Sequence, residues 1–320
     1  MLRSIMRRLV KALLPKRVVD ALRVLRGSPT EQAVFGMTAF QEQTYYAECA
    51  RQLQDSEGAL VDLGCWMGST CLSLARGLGD SSPDKIHAFD RFIWEEWMDE
   101  YSDGLLCEYR QGESFLPEVR RRTKHVQDRV LLVEADLTSF AWENGDIKLL
   151  LVDAMKSAEL TQAIAHSFFP SLGPGALLIH QDFKHYYTSW IHILQYRLRS
   201  YCHFTHDVPG AGTVAFTLTD RIPANEIVLA TDLAEVSEEE ADNAFEYSLD
   251  LVDGDGAVAG AHVMHFVHAR EPDKARERLQ RYEGAYGGED QFVLAVRELD
   301  SLGGAHRRPP LVNNQAGRNS

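Results

Sequence analysis

Ala59-Leu-Val-Asp-Leu-Gly-Cys-Trp-Met-Gly-Ser-Thr70 runs from a short apolar stretch into a turn with two glycines and then into Ser69 and Thr70. A continuous apolar run that ends in such a turn reads as a buried strand leading into a helix. Gly64 and Gly68 let the backbone come close to a ligand, and Ser69 or Thr70 is placed to cap the helix. Asp62 sets a negative charge beside the turn, which suits a cationic ligand better than a phosphate. A dinucleotide-binding turn reads G-x-G-x-x-G, with the middle glycine making room for the pyrophosphate. Trp66 occupies that place here, which weighs against a nicotinamide-dependent oxidoreductase.

The same pattern recurs downstream. Lys85–Asp90, Val130–Glu134, Lys148–Asp153 and Ala176–His180 are further short apolar runs with long gaps between them. They predict parallel strands covered on both faces. Tyr201–His206 and Thr213–Leu218, joined through Pro209-Gly-Ala-Gly212, predict an antiparallel hairpin at the sheet's edge, which makes seven strands. Beyond Arg221-Ile-Pro223, the segments Ser237–Leu251, Ala257–Arg270, Asp273–Tyr282 and Gln291–Leu302 read as amphipathic helices. Asp253-Gly-Asp-Gly256 lacks the later oxygen ligands of a calcium loop. The predicted organisation is an amphipathic helical segment over 1–45, a sheet domain over 46–222, a helical extension over 223–302 and a polar, disordered tail over 303–320.

Over 320 residues, 45% hydrophobic and 25% charged content is that of a globular chain, not of a disordered, collagenous or coiled-coil one. No apolar run reaches the ~18 residues a membrane span needs. Cys49, Cys65, Cys71, Cys107 and Cys202 have no paired-knuckle spacing, so a reducing, cytoplasmic setting is expected. The net charge of −14 is unevenly spread: residues 1–27 carry +7 and the remainder −21, which argues against a broad nucleic-acid-binding surface. Leu2, Ile5, Met6, Leu9 and Leu13 recur at helical spacing opposite Arg3, Arg7 and Lys11, up to Pro15. That segment reads as a helix packing on its own domain or on a second copy in a homo-oligomer. A peripheral contact with a membrane or lipid substrate is the other reading.

In an open parallel sheet, ligands bind beyond the carboxyl ends of the strands. Asp62, Asp90 and Asp153 close strand runs, Asp136 follows the third, and the fifth runs into His180-Gln-Asp182. Acids at every strand end predict a pocket that clasps hydroxyls, amines or cations. The connection from Arg91 to Arg129 carries Phe92, Trp94, Trp97, Tyr101, Tyr109 and Phe115. It reads as a lid or acceptor wall, or as an extra packed helix serving dimerisation. Donors and aromatics gathered between Asp182 and Trp190 suit a sugar, though they also suit helix packing. Lys156 is placed to orient an acceptor, to pair with Asp153 or to stay solvated, and His192 reads as a helix-face residue.

Asp62-x-Gly64-x-x-x-Gly68, followed by an acid closing the second strand, resembles the class I S-adenosylmethionine-dependent methyltransferases over roughly residues 45–220. The ordered set also includes Ala88-Phe-Asp-Arg-Phe92, Glu134-Ala-Asp136, Leu151-Val-Asp-Ala154 and Leu172-Gly-Pro-Gly-Ala176. The resemblance implies an α/β fold: a doubly wound, seven-stranded, mostly parallel sheet of the Rossmann-like methyltransferase kind, with N-terminal helices and a helical C-terminal extension. It implies that Asp62, Gly64, Gly68 and Ser69 line the methionine end of S-adenosyl-L-methionine. Asp90 would hold the ribose hydroxyls, and Asp136 would meet the adenine amine with Leu137 packing beside it.

Within the class, Ala88–Phe92 and the later acids resemble the macrocin O-methyltransferase group. That group methylates sugar hydroxyls of natural products and uses a divalent cation, held by one Asp after strand four and an Asp-Asp pair after strand five. Asp153 matches the first, whereas Gln181-Asp182 stands at the second, so one carboxylate is absent. Two readings stay open. In one, Mg²⁺ is held by Asp153, Asp182 and the Gln181 carbonyl with waters; in the other there is no metal, and His180 or His185 is the general base. Asp153 is placed to act as ligand or as base. The expected partner is a small-molecule acceptor, a sugar or natural product. The rival to an enzyme is a non-catalytic, membrane-peripheral binding module working through residues 1–27.

Overall fold

The computed structural model describes residues 34–79 and 82–303. The expected amphipathic helix over Leu2–Leu13 and nearly all of the expected tail lie outside the described residues. Among those described, one sheet is built from β1 (Ala59–Leu63), β2 (Ile86–Asp90), β3 (Val130–Glu134), β4 (Ile147–Val152), β5 (Leu172–His180), β6 (Cys202–Asp207) and β7 (Val214–Leu218). Their order is β3-β2-β1-β4-β5-β7-β6. The first five pair in parallel, and β7 runs antiparallel to both β5 and β6. This is the doubly wound α/β arrangement expected from the apolar runs.

Side chains alternate across the sheet. Val61, Leu63, Phe89, Leu150 and Val152 enter one core with α5 (Ala158–Phe168) and α6 (Ser189–Arg197). Leu60, Ala88, Leu149, Leu151 and Ile179 enter the other with α1 (Phe40–Gln52), α2 (Ser69–Gly77) and α4 (Leu116–Thr123). The connection between β2 and β3 also holds the short α3 (Met98–Tyr101). α1 lies so close on α2 that a Cβ at Gly77 would stand 1.9 Å from the Ala47 carbonyl oxygen. Only glycine allows that approach.

After β7 come α7 (Ala224–Ala230), α8 (Glu238–Leu251), α9 (Gly256–His268), α10 (Pro272–Tyr286) and α11 (Asp290–Gly303). Asp255 of the calcium-like stretch caps α9, its Oδ1 accepting the Ala257 N–H at 2.8 Å. α9, expected to be amphipathic, is instead buried around most of its circumference, with His262 enclosed alongside Val258, Ala259, Ala261, Val263 and Phe266. These helices share the core of the first sheet face.

Two further elements differ from expectation. β5 begins at Leu172 because Leu172 pairs with Ile147; a register shift then absorbs the Gly-Pro-Gly stretch before Leu177 meets Leu149. α7, in a segment with little helical periodicity, was not anticipated. Among the described residues, no helix is long and apolar enough to cross a membrane.

Candidate active site

Leu63 at the end of β1 pairs with Phe89 of β2 and Val152 of β4. The strand order reverses here, so three carboxyl-terminal ends finish side by side, the place where ligands bind in sheets of this kind. Gly64 (φ 89°) passes under the end of β4, where a Cβ would come within 2.6 Å of the Asp153 carbonyl oxygen. Trp66 takes a left-handed backbone conformation (φ 39°), and its N–H donates to Asp90 Oδ2 at 2.9 Å. The Phe92 N–H donates to Asp90 Oδ1 at 2.8 Å. Burial raises the Asp90 carboxyl, and these two amides oppose the rise. Each Asp90 oxygen keeps a lone pair for a further donor.

Asp62 is fully buried. Its Oδ2 accepts from Thr70 Oγ1 at 2.6 Å, and its Oδ1 has no partner among the described residues. Burial pushes its carboxyl up to about 8; the Thr70 hydroxyl works against that, and nearby Asp153 and Asp90 add to it. Ser69 and Thr70 do not cap α2, contrary to expectation. The left-handed turn at Gly68 (φ 87°) is itself the N-cap. Both following residues are therefore already helical, and their hydroxyls meet Thr38 Oγ1 (2.7 Å, from Ser69) and Asp62.

Asp136 is exposed beyond β3. Its Oδ1 accepts from the Thr138 N–H (2.9 Å) and Oγ1 (2.7 Å), which hold its carboxyl below the usual range. Leu137 beside it is buried. The long connection packs over the glycine turn: Trp97 stacks on Trp66 at 6.2 Å between ring centroids, and Arg122 Nε donates to the Met67 carbonyl at 2.9 Å. Phe92, Trp94 and Phe115 are core residues rather than an open wall.

Val152 pairs with His180, which brings Asp153 against Gln181 and Asp182. Lys156 Nζ donates to Asp153 Oδ1 at 2.7 Å and also to Asp182 Oδ2. Gln181 turns its Nε2 to Asp153 Oδ2 at 2.8 Å and its carbonyl away, to Tyr46 Oη at 3.0 Å. This arrangement does not fit the divalent cation that the resemblance implies. The ammonium already stands between the two carboxylates, and the amide presents a donor where a ligand oxygen was expected. Among the described residues, no three His, Cys, Asp or Glu side chains gather as a metal site.

Burial raises the Asp153 carboxyl against the pull of Lys156. For Asp182, burial is outweighed chiefly by the Lys156 ammonium, which holds it low. His185 is half-buried, and burial lowers it against the opposing charge of Asp182, so it is neutral at neutral pH. His180 is enclosed between Phe183 and Phe216, with burial pushing it down to about 4. A ring so enclosed has no path to a substrate. Phe183, Tyr186 and Trp190 are likewise buried, and the Trp190 indole donates to the Met155 carbonyl at 2.8 Å. Most of the aromatic run therefore packs the core.

Four residues near Asp153 form a polar run, of which only Gln181 was singled out from the sequence. Glu42 and Tyr46, one turn apart on α1, are both buried, as are Thr213 and Gln181. Thr213 Oγ1 lies 2.6 Å from Glu42 Oε1 and 2.8 Å from Tyr46 Oη. The only sequence signal was a glutamate on the helix face that also carries Tyr46, Cys49 and Ala50.

A family model described as a methyltransferase domain matches residues 61–183. No curated protein matches the chain. Among solved structures, the O-methyltransferase NovP is similar at 16% identity, covering 61% of this chain and 85% of its own, with a TM-score of 0.46. Apo CalS11, a TDP-rhamnose 3'-O-methyltransferase of calicheamicin biosynthesis, is similar at 19% identity over 66% of this chain and 91% of its own, with a TM-score of 0.41. An SAM-dependent O-methyltransferase from Thermotoga maritima shows 12% identity over 66% of this chain and 74% of its own, with a TM-score of 0.36.

Proposed function

We propose that this chain is an S-adenosylmethionine-dependent O-methyltransferase acting on a hydroxyl of a small molecule, a sugar or glycosylated natural product as its sequence resemblance implies. The observation that carries the reading is Asp90: a half-buried carboxylate at the end of β2, steadied by the Trp66 and Phe92 amides, with an open lone pair on each oxygen. Two adjacent hydroxyl donors on a ribose match it. Asp62 Oδ1, without a partner among the described residues, fits the same ligand, because a buried carboxyl short of donors favours a positively charged group beside it.

When bound, S-adenosylmethionine supplies a methyl group on a positively charged sulfur. Asp90 would hold its ribose, Asp62 and the Gly64–Gly68 turn its methionine end, and Asp136 with Leu137 its adenine. At the acceptor end, Asp153 takes the hydroxyl proton, since each of its oxygens keeps a lone pair beyond those given to Lys156 and Gln181. Lys156 supplies the positive charge that a divalent cation would otherwise bring, and Asp182 anchors it from the other side. His185 lies at the rim of this cluster, with its Nδ1 accepting the Tyr187 N–H at 3.2 Å.

Calorimetry with S-adenosylmethionine tests the reading. Wild type is expected to bind and Asp90→Ala to lose binding; no binding by wild type, or equal binding by both, overturns it.

A further inference from the structure

Four hydrogen bonds in series join two carboxyl groups. Glu42 Oε1 meets Thr213 Oγ1 (2.6 Å), Thr213 Oγ1 meets Tyr46 Oη (2.8 Å), Tyr46 Oη meets Gln181 Oε1 (3.0 Å) and Gln181 Nε2 meets Asp153 Oδ2 (2.8 Å). Each link needs one hydrogen. The Thr213 and Tyr46 hydroxyls own one apiece. The Gln181 amide serves one of its two links, since its other side presents the carbonyl. Three hydrogens are thus available for four links, and the fourth must sit on a carboxyl. Turning the amide over leaves the total unchanged and only moves the missing hydrogen from the Glu42 end to the Asp153 end.

The geometry chooses between those ends. Whichever way the amide is turned, the Lys156 ammonium donates to Asp153 Oδ1, whereas the two groups hydrogen-bonded to Glu42, the Ala39 N–H and the Thr213 hydroxyl, are both neutral. Glu42 Oε2 accepts the Ala39 N–H at 2.8 Å, which leaves Oε1, the atom facing Thr213, to carry the hydrogen. We propose that Glu42 and Asp153 share a single proton through this run, that Glu42 holds it in the resting protein, and that Glu42, Thr213, Tyr46 and Gln181 are positioning residues that keep Asp153 an ionised acceptor. The role of Asp153 toward a methyl acceptor rests on the methyltransferase reading; the shared proton does not.

The surroundings agree. Tyr46 and Thr213 are fully buried and Glu42 nearly so, leaving little room for water to supply the missing hydrogen. The charged groups facing Glu42 are Asp182, which opposes its ionisation, and Lys184, which favours it. The Lys184 ammonium is itself engaged by Asp207 and the Val208 carbonyl. Burial, the largest effect, raises the Glu42 carboxyl from its ordinary 4.5.

The full chain with ¹³C-carboxyl-labelled glutamate, without cofactor or acceptor, provides the test. Glu42→Gln assigns the signal, which in wild type is expected to be that of a protonated acid at neutral pH. Tyr46→Phe removes one hydrogen and two links, so Thr213 alone satisfies Glu42, and the Glu42 midpoint is expected to fall by about one unit or more, at least tenfold in proton affinity. Burial by itself predicts no fall. Gln181→Met, which leaves two links and two hydroxyl hydrogens, is expected to do the same and stands in if Tyr46→Phe does not fold. An ionised Glu42 at neutral pH in wild type, or a midpoint unmoved by the folded variants, overturns the proposal. Failure of methyl transfer would leave these signals untouched.

Discussion

A carboxyl enclosed at the end of β1 and given one hydroxyl donor is costly to ionise, because water's many donors are replaced by a single hydrogen bond. Asp62 is such a group, raised from 3.8 to about 8. The folded protein therefore binds its proton more tightly than the unfolded chain does. Stability attributable to Asp62 is full below pH 3.8 and declines as pH rises towards 8. Asp62→Asn should remove that slope, which urea midpoints across the range would reveal. A cationic ligand needs the ionised form, so affinity for S-adenosylmethionine should climb with pH, by at most about tenfold per unit, and level off above 8. Calorimetry in buffers of different ionisation enthalpy would show the released proton; affinity independent of pH would remove Asp62 from the cofactor site.

Lys156 poses a sharper question, since it takes the place that the sequence resemblance gives to Mg²⁺. Exhaustive chelation should leave activity unchanged, and Lys156→Met should lower kcat by about 10²-fold or more. Activity abolished by chelation and restored by Mg²⁺ would reverse the assignment. The acids at this rim were legible in the sequence because apolar runs fix where strands end. Their partners were not. Lys156 meets Asp182 only through the β4–β5 register, and Glu42 reaches Asp153 through three residues from three separate segments.

Among the elements, the parallel strands were legible because each is an apolar run of about five residues, the length a covered strand needs. β5 was read short for the opposite reason: Gly173-Pro-Gly175 looks like a break, yet pairing of Leu172 with Ile147 carries the strand across it. The importance of α1 was hidden as well. Its value to the site is positional, since it brings Glu42 and Tyr46 to Thr213 and Gln181, and its seat depends on Gly77. A methyl group there would press into the Ala47 backbone at 1.9 Å, which side-chain rotation cannot relieve. Gly77→Ala should therefore destabilise the protein by about 1–3 kcal/mol and shift the Glu42 signal as α1 is displaced. Urea unfolding at an unchanged m-value would check the first part. An unaltered midpoint would show that α1 and α2 are less closely seated than described.

At the scale of the whole molecule, the break at Arg221-Ile-Pro223 was readable as a change of pattern, but nothing in the sequence said what the following helices do. Their apolar faces complete the core of one sheet face. Ala244 and Phe245 of α8, Val258 and Phe266 of α9, and Phe292 and Ala295 of α11 belong to the same buried cluster as Val61, Phe89 and Leu150. A sheet domain ending near residue 222 would expose to water the outer side of α6, on which α8 and α9 pack, at about 25 cal/mol per Å² of apolar area. The described body should accordingly unfold in one cooperative transition, with calorimetric and van't Hoff enthalpies equal. Phe292→Ala, fully buried on α11 and far along the chain from any candidate site residue, should lower that single transition by about 3–5 kcal/mol instead of melting a separate helical unit. Two resolved transitions, or a Phe292→Ala protein whose sheet melts at the wild-type temperature, would show that the C-terminal helices are an independent module.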